Sequence, residues 1–226
     1  MPKVTPTSSR ERDPEARKER ILAAAAVVFA KGGFAAGNVR EISRRARVNV
    51  ASINYYFGSK EGLYRELLVA SHQQALQQER PVKLEDGRDA REALGNWIAF
   101  CLRFVLLKRP SHPVLGKLMA HEMRQPTAAL NELVKLIVRP IFAELQRIVE
   151  ALGDGLMEKS EVEMRAHHIV GMCVHYEHSA EVIKRLGFAV PNTEETIARL
   201  ARSITELALH GIGGSKSGVT KRKHSP

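Results

Sequence analysis

A chain of 226 residues, 44% apolar and 27% charged, can fill a small domain and a larger one, but no apolar run reaches the roughly 18 residues of a membrane span. Its only two cysteines, Cys101 and Cys173, lie far apart in apolar runs and exclude both a disulfide framework and a CxxC metal site. Of the net charge of +10, residues 1–62 carry +6 (12 Lys and Arg against 6 Asp and Glu), residues 63–210 balance at 19 against 19, and residues 211–226 add +4.

A basic head on a neutral body is expected where only the head meets a polyanion, because Lys and Arg neutralising phosphates supply most non-specific affinity. Charges at the amino terminus, where a secretory signal has its apolar stretch, point to a soluble, cytoplasmic protein with no membrane partner.

Residues 1–13, rich in Pro, Ser, Thr and charge, read as a flexible basic arm. A first helix is expected over Pro14 to Lys31, with Ile21, Leu22, Ala25, Val28 and Phe29 on one face and Gly32-Gly33 ending it. Val39, Ile42 and Ala46 then recur at helical spacing, which buries one face of a short helix and leaves Arg40, Glu41, Arg44 and Arg45 in water. Arg47-Val48-Asn49 interrupts the pattern, and Asn49 is a good N-cap for a helix over Val50 to Tyr56. Ile53 and Phe57, four apart, lock that helix against the one before it. Ser52, Asn54 and Tyr55 then face outward, and Tyr56 either joins them or packs. A polar, aromatic, uncharged tip flanked by Arg40, Arg44 and Lys60 suits a helix-turn-helix whose second helix enters the major groove of duplex DNA. Ser52, Asn54 and Tyr55 would meet base edges or the first phosphates, and Arg40 could reach a guanine edge.

Lys60 opens a longer helix through Leu63, Leu67, Leu68, Ala70 and Ala75 to about Gln78, before Pro81. It would join head to body as a rigid lever. After a loop at Glu85-Asp86-Gly87, helices are expected over Asp89 to Lys108, stopped by Arg109-Pro110, and over His112 to Arg124, with Leu115, Leu118 and Met119 inward. Thr127 to Leu152 is long, broken or bent at Pro140, and ends at Gly153-Asp154-Gly155. Glu161 to Leu186 and Glu194 to His210 finish the fold, capped by Ser160 and by Asn192 or Thr193. Residues 211–226 read as a disordered basic tail. With no convincing strand, the expectation is an all-α protein of about nine helices, divided into a three-helix domain over 14–62 and a larger helical domain over 63–210.

The last two helices carry apolar stripes with small residues, Val162, Ala166, Ile169, Val170, Val174 and Ala180 on one and Ile197, Leu200, Ile204 and Leu207 on the other, that allow close packing. Pairing of two copies is expected, since one short recognition helix reads few bases and two-fold symmetry selects a near-palindromic site. His168, His175 and His178 lie at offsets of 7 and 3 on one helix, and His121-Glu122 on another. Neutral imidazoles on adjacent helices can bind zinc or another transition metal, so a metal sensor or metalloenzyme stays open as an alternative, although a zincin motif, a Gly-rich phosphate loop and a nucleophile elbow are all missing. A DNA-binding architectural protein without a ligand is a second alternative.

The stretch GFAAGNVREISRRARVNVASINYYFGSKEGLY resembles the amino-terminal signature of TetR-type transcriptional repressors over roughly residues 17 to 64: a Gly-Phe, a capped helix beginning near Asn38, an Ala-x-Val turn, an aromatic pair before Phe, then Ser-Lys-x-x-Leu. The resemblance implies that Tyr56, Lys60 and the amides around Asn38 hold the phosphate backbone, and that the final helix pair forms a four-helix dimer interface. Two positions depart from the family pattern. Arg47 stands where the turn glycine is usual, at a cost of about 1 kcal/mol if its φ is positive, and Asn54 stands where tyrosine is common. Farther on, HPVLGKLMAHEMRQPTAAL and HHIVGMCVHYEHSAEVIKRL resemble the C-terminal domain of a TetR subfamily related to regulators of multidrug ABC-transporter genes. This implies an effector pocket lined by Trp97, Cys101, Phe104, Met119, Met123, Phe142, Met172, His175 and Tyr176, with ordinary core packing as the alternative for each. The function expected is that of a homodimeric repressor, not an enzyme and without a cofactor, that leaves a palindromic operator when a small organic effector binds.

Overall fold

The computed structural model describes residues 13–77, 83–84 and 89–213. Residues 1–12 of the arm expected over 1–13, the far end of the connecting helix at Gln78, the Glu85-Asp86-Gly87 loop and residues 214–226 of the expected tail lie outside the described residues, while 211–213, expected in that tail, continue the last helix. Among the described residues all regular structure is helical, with nine helices of eight or more residues. No described helix is long and apolar enough to cross a membrane. The chain forms two compact units, one of residues 13–74 with 112–138 and one of residues 75–111 with 139–213.

In the first unit, α1 (Pro14–Ala36) starts at Asp13, whose Oδ1 accepts the Glu15 N–H at 3.1 Å. Gly33 interrupts this helix without ending it, as φ 71° and ψ −173° there break the axis and the chain then resumes to Ala36. A β-carbon on Gly33 would lie 2.9 Å from Nδ1 of His121. Glycine is therefore required twice over, for the backbone and for the approach of that ring. Next come α2 (Val39–Ala46), α3 (Val50–Phe57) and α4 (Lys60–Leu76). Ile21, Ala25, Phe29, Ile42, Ile53, Leu63 and Leu68 are fully buried and fuse the four helices into one core, each large side chain contributing about 1.5–3 kcal/mol. Two further helices complete the unit: α6 (Pro113–Arg124), packed on α1, and α7 (Ala129–Leu133). Leu115, Leu118 and Met119 are the buried face of α6, as their spacing predicts.

The second unit is built around α5 (Ala90–Arg103), which packs against α8 (Arg139–Leu152), α9 (Lys159–His178) and α11 (Glu194–Gly213). Leu94, Ile98, Leu102, Leu145, Ile148, Val149, Ala166, Cys173 and Ile197 are wholly buried at their junction. Both expected proline interruptions take one form. π-helical turns at Phe104–Lys108 and Val134–Val138 lie just ahead of Pro110 and Pro140. Proline brings no N–H for the carbonyl four residues back and its ring crowds that carbonyl, and a wider turn relieves the crowding without unwinding the chain. The region expected to stop at Arg109-Pro110 thus continues as a helical turn over Arg109–Ser111.

The helix expected over Glu161 to Leu186 is two, α9 and α10 (Ala180–Arg185). Ser179 keeps the ladder through its N–H to the His175 carbonyl at 2.8 Å, but its φ −101° and ψ 15° turn the axis. Ser160 does not cap α9. The N-cap position is Glu158, with no side-chain bond. Thr193 does cap α11, because its Oγ1 accepts the Thr196 N–H at 3.3 Å while Thr196 Oγ1 accepts the Thr193 N–H at 3.1 Å.

Candidate nucleic-acid interface

The candidate interface is a short rigid frame with polar side chains on its outside. Asn38 Oδ1 accepts the Arg40 N–H at 2.8 Å and opens α2. Asn49 Oδ1 accepts from both the Ser52 N–H at 2.7 Å and the Ser52 hydroxyl at 2.8 Å and opens α3. Between them Arg47 adopts φ 54° and ψ 46°, the left-handed conformation that glycine takes most readily. The turn around it is held by the Val48 N–H donating to the Ser43 carbonyl at 3.1 Å and the Ser43 hydroxyl donating to the Val48 carbonyl at 2.6 Å. Ile42, Ala46, Ile53 and Phe57 point into the core and fix the angle at which α3 is presented.

Outside that frame, Arg40, Arg44, Asn49, Asn54 and Tyr55 are exposed, Tyr55 at 83%. Tyr56 is half-buried and packs edge-on against Tyr55, with ring centroids 5.1 Å apart and planes at 86°. Ser52 is half-buried and its proton is committed to Asn49, so only its lone pairs remain to accept a further bond. Lys60 is engaged within the unit, donating to the Ala35 carbonyl at 3.3 Å and lying 4.6 Å from the Phe34 ring centroid. An ammonium has three donors, so these contacts aim the group and leave others for a further acceptor.

The structure also adds residues that periodicity did not single out. Arg17 and Arg20 of α1 join Arg47, Val48, Asn49 and Ser52 around an open basin of about 500 Å³. Their three-residue spacing places the two arginines on one helical face, but only the packing of α1 on α2 brings that face to the turn.

The sequence pattern of the tetR family of bacterial regulatory proteins matches residues 21–67, and that of the C-terminal domain of the HTH-type transcriptional dual regulator CecR matches residues 90–212, more than half of the chain. The protein belongs to the TetR family. TetR-family proteins are DNA-binding transcriptional regulators, not enzymes. CecR of Shigella flexneri is 28% identical to this TetR-family chain over 209 residues, 88% of this chain and 93% of that one. The transcriptional repressor NicS of Pseudomonas putida is 27% identical over 210 residues, 91% of this chain and 97% of that one. The solved flavonoid-responsive regulator FrrA shares the fold with a TM-score of 0.64 at 19% identity, over 87% of this chain and 97% of that one.

In this TetR-family regulator the residues expected to line an effector pocket fall in both units. Met119, buried, and Met123, exposed, belong to the first. In the second, Trp97 is buried with its Nε1–H donating to the Ile141 carbonyl at 3.2 Å, while Cys101, Phe104, Phe142, Met172 and Tyr176 are half-buried on the same core and His175 is exposed. Cys173 lies buried beside Cys101, and the hydrogen bond between the thiols together with burial pushes its ionisation far up, so it stays protonated.

Of the expected dimer residues, Val162, Ala166, Ile169, Ile197 and Ile204 lie inside the core of the second unit, Val170, Val174, Ala180 and Leu200 are half-buried, and Leu207 is exposed. His168, His175 and His178 are exposed, and His178 Nδ1 lies 3.1 Å from Glu177 Oε2. Among the described residues no group of three or more His, Cys, Asp or Glu side chains is placed to hold a metal ion.

Proposed function

We propose that this regulator works in the cytoplasm as a homodimeric repressor that holds a near-palindromic operator and leaves it when a small organic molecule enters the second unit. The observation that carries the reading is the surface of α3. Asn54 and Tyr55 are exposed at its tip, serve no core, and stand beside the exposed Arg40 and Arg44 of α2. Ser52, Asn54 and Tyr55 read base edges, with Arg40 reaching a guanine. Asn38, Arg44, Asn49, Tyr56 and Lys60 hold the backbone. Two copies would place their α3 helices about 34–36 Å apart, one turn of duplex. Trp97, Cys101, Phe104, Phe142, Met172, His175 and Tyr176 of the second unit contact the effector. The resemblance of roughly residues 85–190 to a TetR subfamily related to regulators of multidrug ABC-transporter genes supports a small organic effector.

Selection of bound fragments from random duplex DNA tests the reading, followed by a screen for compounds that release the best fragment. A single near-palindrome should be preferred over competitor DNA by about a thousandfold or more. Because coupling between two ligands is reciprocal, a releasing compound must bind the operator complex more weakly than the free protein by the factor with which it weakens DNA binding. Absence of affinity for any duplex in dilute buffer would remove the DNA-reading role, and equal compound affinity for free and operator-bound protein would remove the switch.

A further inference from the structure

The basin beside the helix-turn-helix has a composition that neither a core nor a solvated surface requires. Arg17, Arg20, Arg47, Val48, Asn49 and Ser52 line its volume of about 500 Å³, so three of its six lining side chains are guanidinium groups and none is a carboxylate. We propose that this basin seats a backbone phosphodiester of the DNA duplex, next to the base pairs read by α3, with Arg47 as the principal clamp. The inference rests on the groove-reading role of α3 and adds to it a contact made by α1 and the turn.

Three independent features favour that occupant. Guanidinium groups gathered on one concave surface favour an anion there, and the planar fork of Arg47 fits a phosphate with two parallel hydrogen bonds. Arg17 and Arg20 are half-buried, so their stems are packed and little freedom is lost when their head groups bind. Arg20 spends one of its five N–H groups on the Ala16 carbonyl at 3.4 Å and keeps the others.

The second feature is Arg47 itself. It holds φ 54°, where glycine would be free of strain, and it is exposed, so burial of its side chain returns nothing to the fold. Its place on the rim of the basin gives the cation a task that glycine could not perform. The third is the floor. Asn49 and Ser52 belong to the start of the eight-residue α3, whose dipole presents its positive end there. The volume is ample for a phosphodiester and the adjoining sugar.

The test is the salt dependence of duplex binding for the wild type, Arg47→Gly and the double variant Arg17→Gln/Arg20→Gln, each measured on the preferred duplex and on single-base variants of it. Arg47→Gly should lose about tenfold or more in affinity and flatten the slope of log K against log salt by about 0.9. The loss should be equal across the base variants, because a phosphate contact positions without specifying. Thermal stability of Arg47→Gly should be unchanged or raised, which separates lost contact from lost fold. The double variant should flatten the slope in the same sense. Unchanged affinity and slope in Arg47→Gly, or altered base preference in place of uniform loss, would overturn the inference while wild-type binding kept the groove-reading role intact. A wild-type protein that binds no duplex would overturn both.

Discussion

Glu122 is 1% exposed and accepts three hydrogen bonds, from the Tyr64 hydroxyl at 2.8 Å, the Thr127 N–H at 3.0 Å and the Thr127 hydroxyl at 3.0 Å. A carboxylate taken from water is tolerable only when its oxygens are satisfied in this way. Glu122→Gln turns one acceptor into a donor facing donors, and should cost about 1–3 kcal/mol in chemical denaturation. Tyr64→Phe should cost less, since Oε1 keeps the Thr127 hydroxyl. The reverse order would make the tyrosine the anchor of the network. Burial, and then the bond to Glu122, hold the Tyr64 hydroxyl ionisation well above its usual 10.0. The folded state therefore keeps this proton where the unfolded chain has begun to lose it. The contribution is complete below pH 10 and falls as pH climbs above it, by at most about 1.4 kcal/mol per pH unit. Tyr64→Phe should flatten that alkaline limb of the stability profile, and an unchanged limb would assign it to other groups. None of this was legible in sequence. Glu122 stood out only as the neighbour of His121, and its tyrosine partner is 58 residues away.

At the scale of elements, legibility follows the range of the interactions that define each one. The boundaries of α2 and α3 could be read closely because Asn38 and Asn49 cap them through bonds spanning two or three residues and their inward residues recur within one or two turns. The continuation of α1 past Gly33 passes through a positive φ with the His121 ring close against it, and the division at Ser179 lies in that residue's φ and ψ, and neither leaves a periodic mark. Pro110 and Pro140 announced a disturbance, but its form as a wide turn depends on packing on either side. The cap of α3 offers a test at this scale. Asn49→Ala should lower stability by about 1 kcal/mol. Asn49→Asp keeps an oxygen for the Ser52 amide and adds a favourable charge at the helix start, so it should melt at or above the wild-type temperature. That same charge enters the arginine-lined basin, so the Asp variant should bind duplex more weakly than the wild type although fully folded. A stable Asn49→Asp protein with undiminished affinity would place the phosphates away from this turn.

For the whole molecule, the question is which apolar surface serves the protomer and which serves a second copy. Stripes at helical spacing cannot tell one from the other, and this is why Val162, Ala166, Ile169, Ile197 and Ile204, read as a pairing face, lie in the core of the second unit. Of that expected set, Leu207 on α11 is 63% exposed, and Val170 and Val174 on α9, Ala180 on α10 and Leu200 on α11 are half-buried. In a lone protomer a charge in place of Leu207 meets water and should change stability by no more than about 0.5 kcal/mol. In a dimer paired through α11 the same charge is desolvated twice, once in each copy, and the association should weaken by several kcal/mol. Sedimentation of Leu207→Glu should therefore show a protomer of unchanged melting temperature where the wild type sediments as a pair. DNA binding should follow the assembly, because each α3 then acts alone: affinity for the full palindrome should fall to that for an isolated half-site, while the half-site affinity itself is preserved. A Leu207→Glu protein that still sediments as a pair and still prefers the full palindrome would exclude α11 as the two-fold contact.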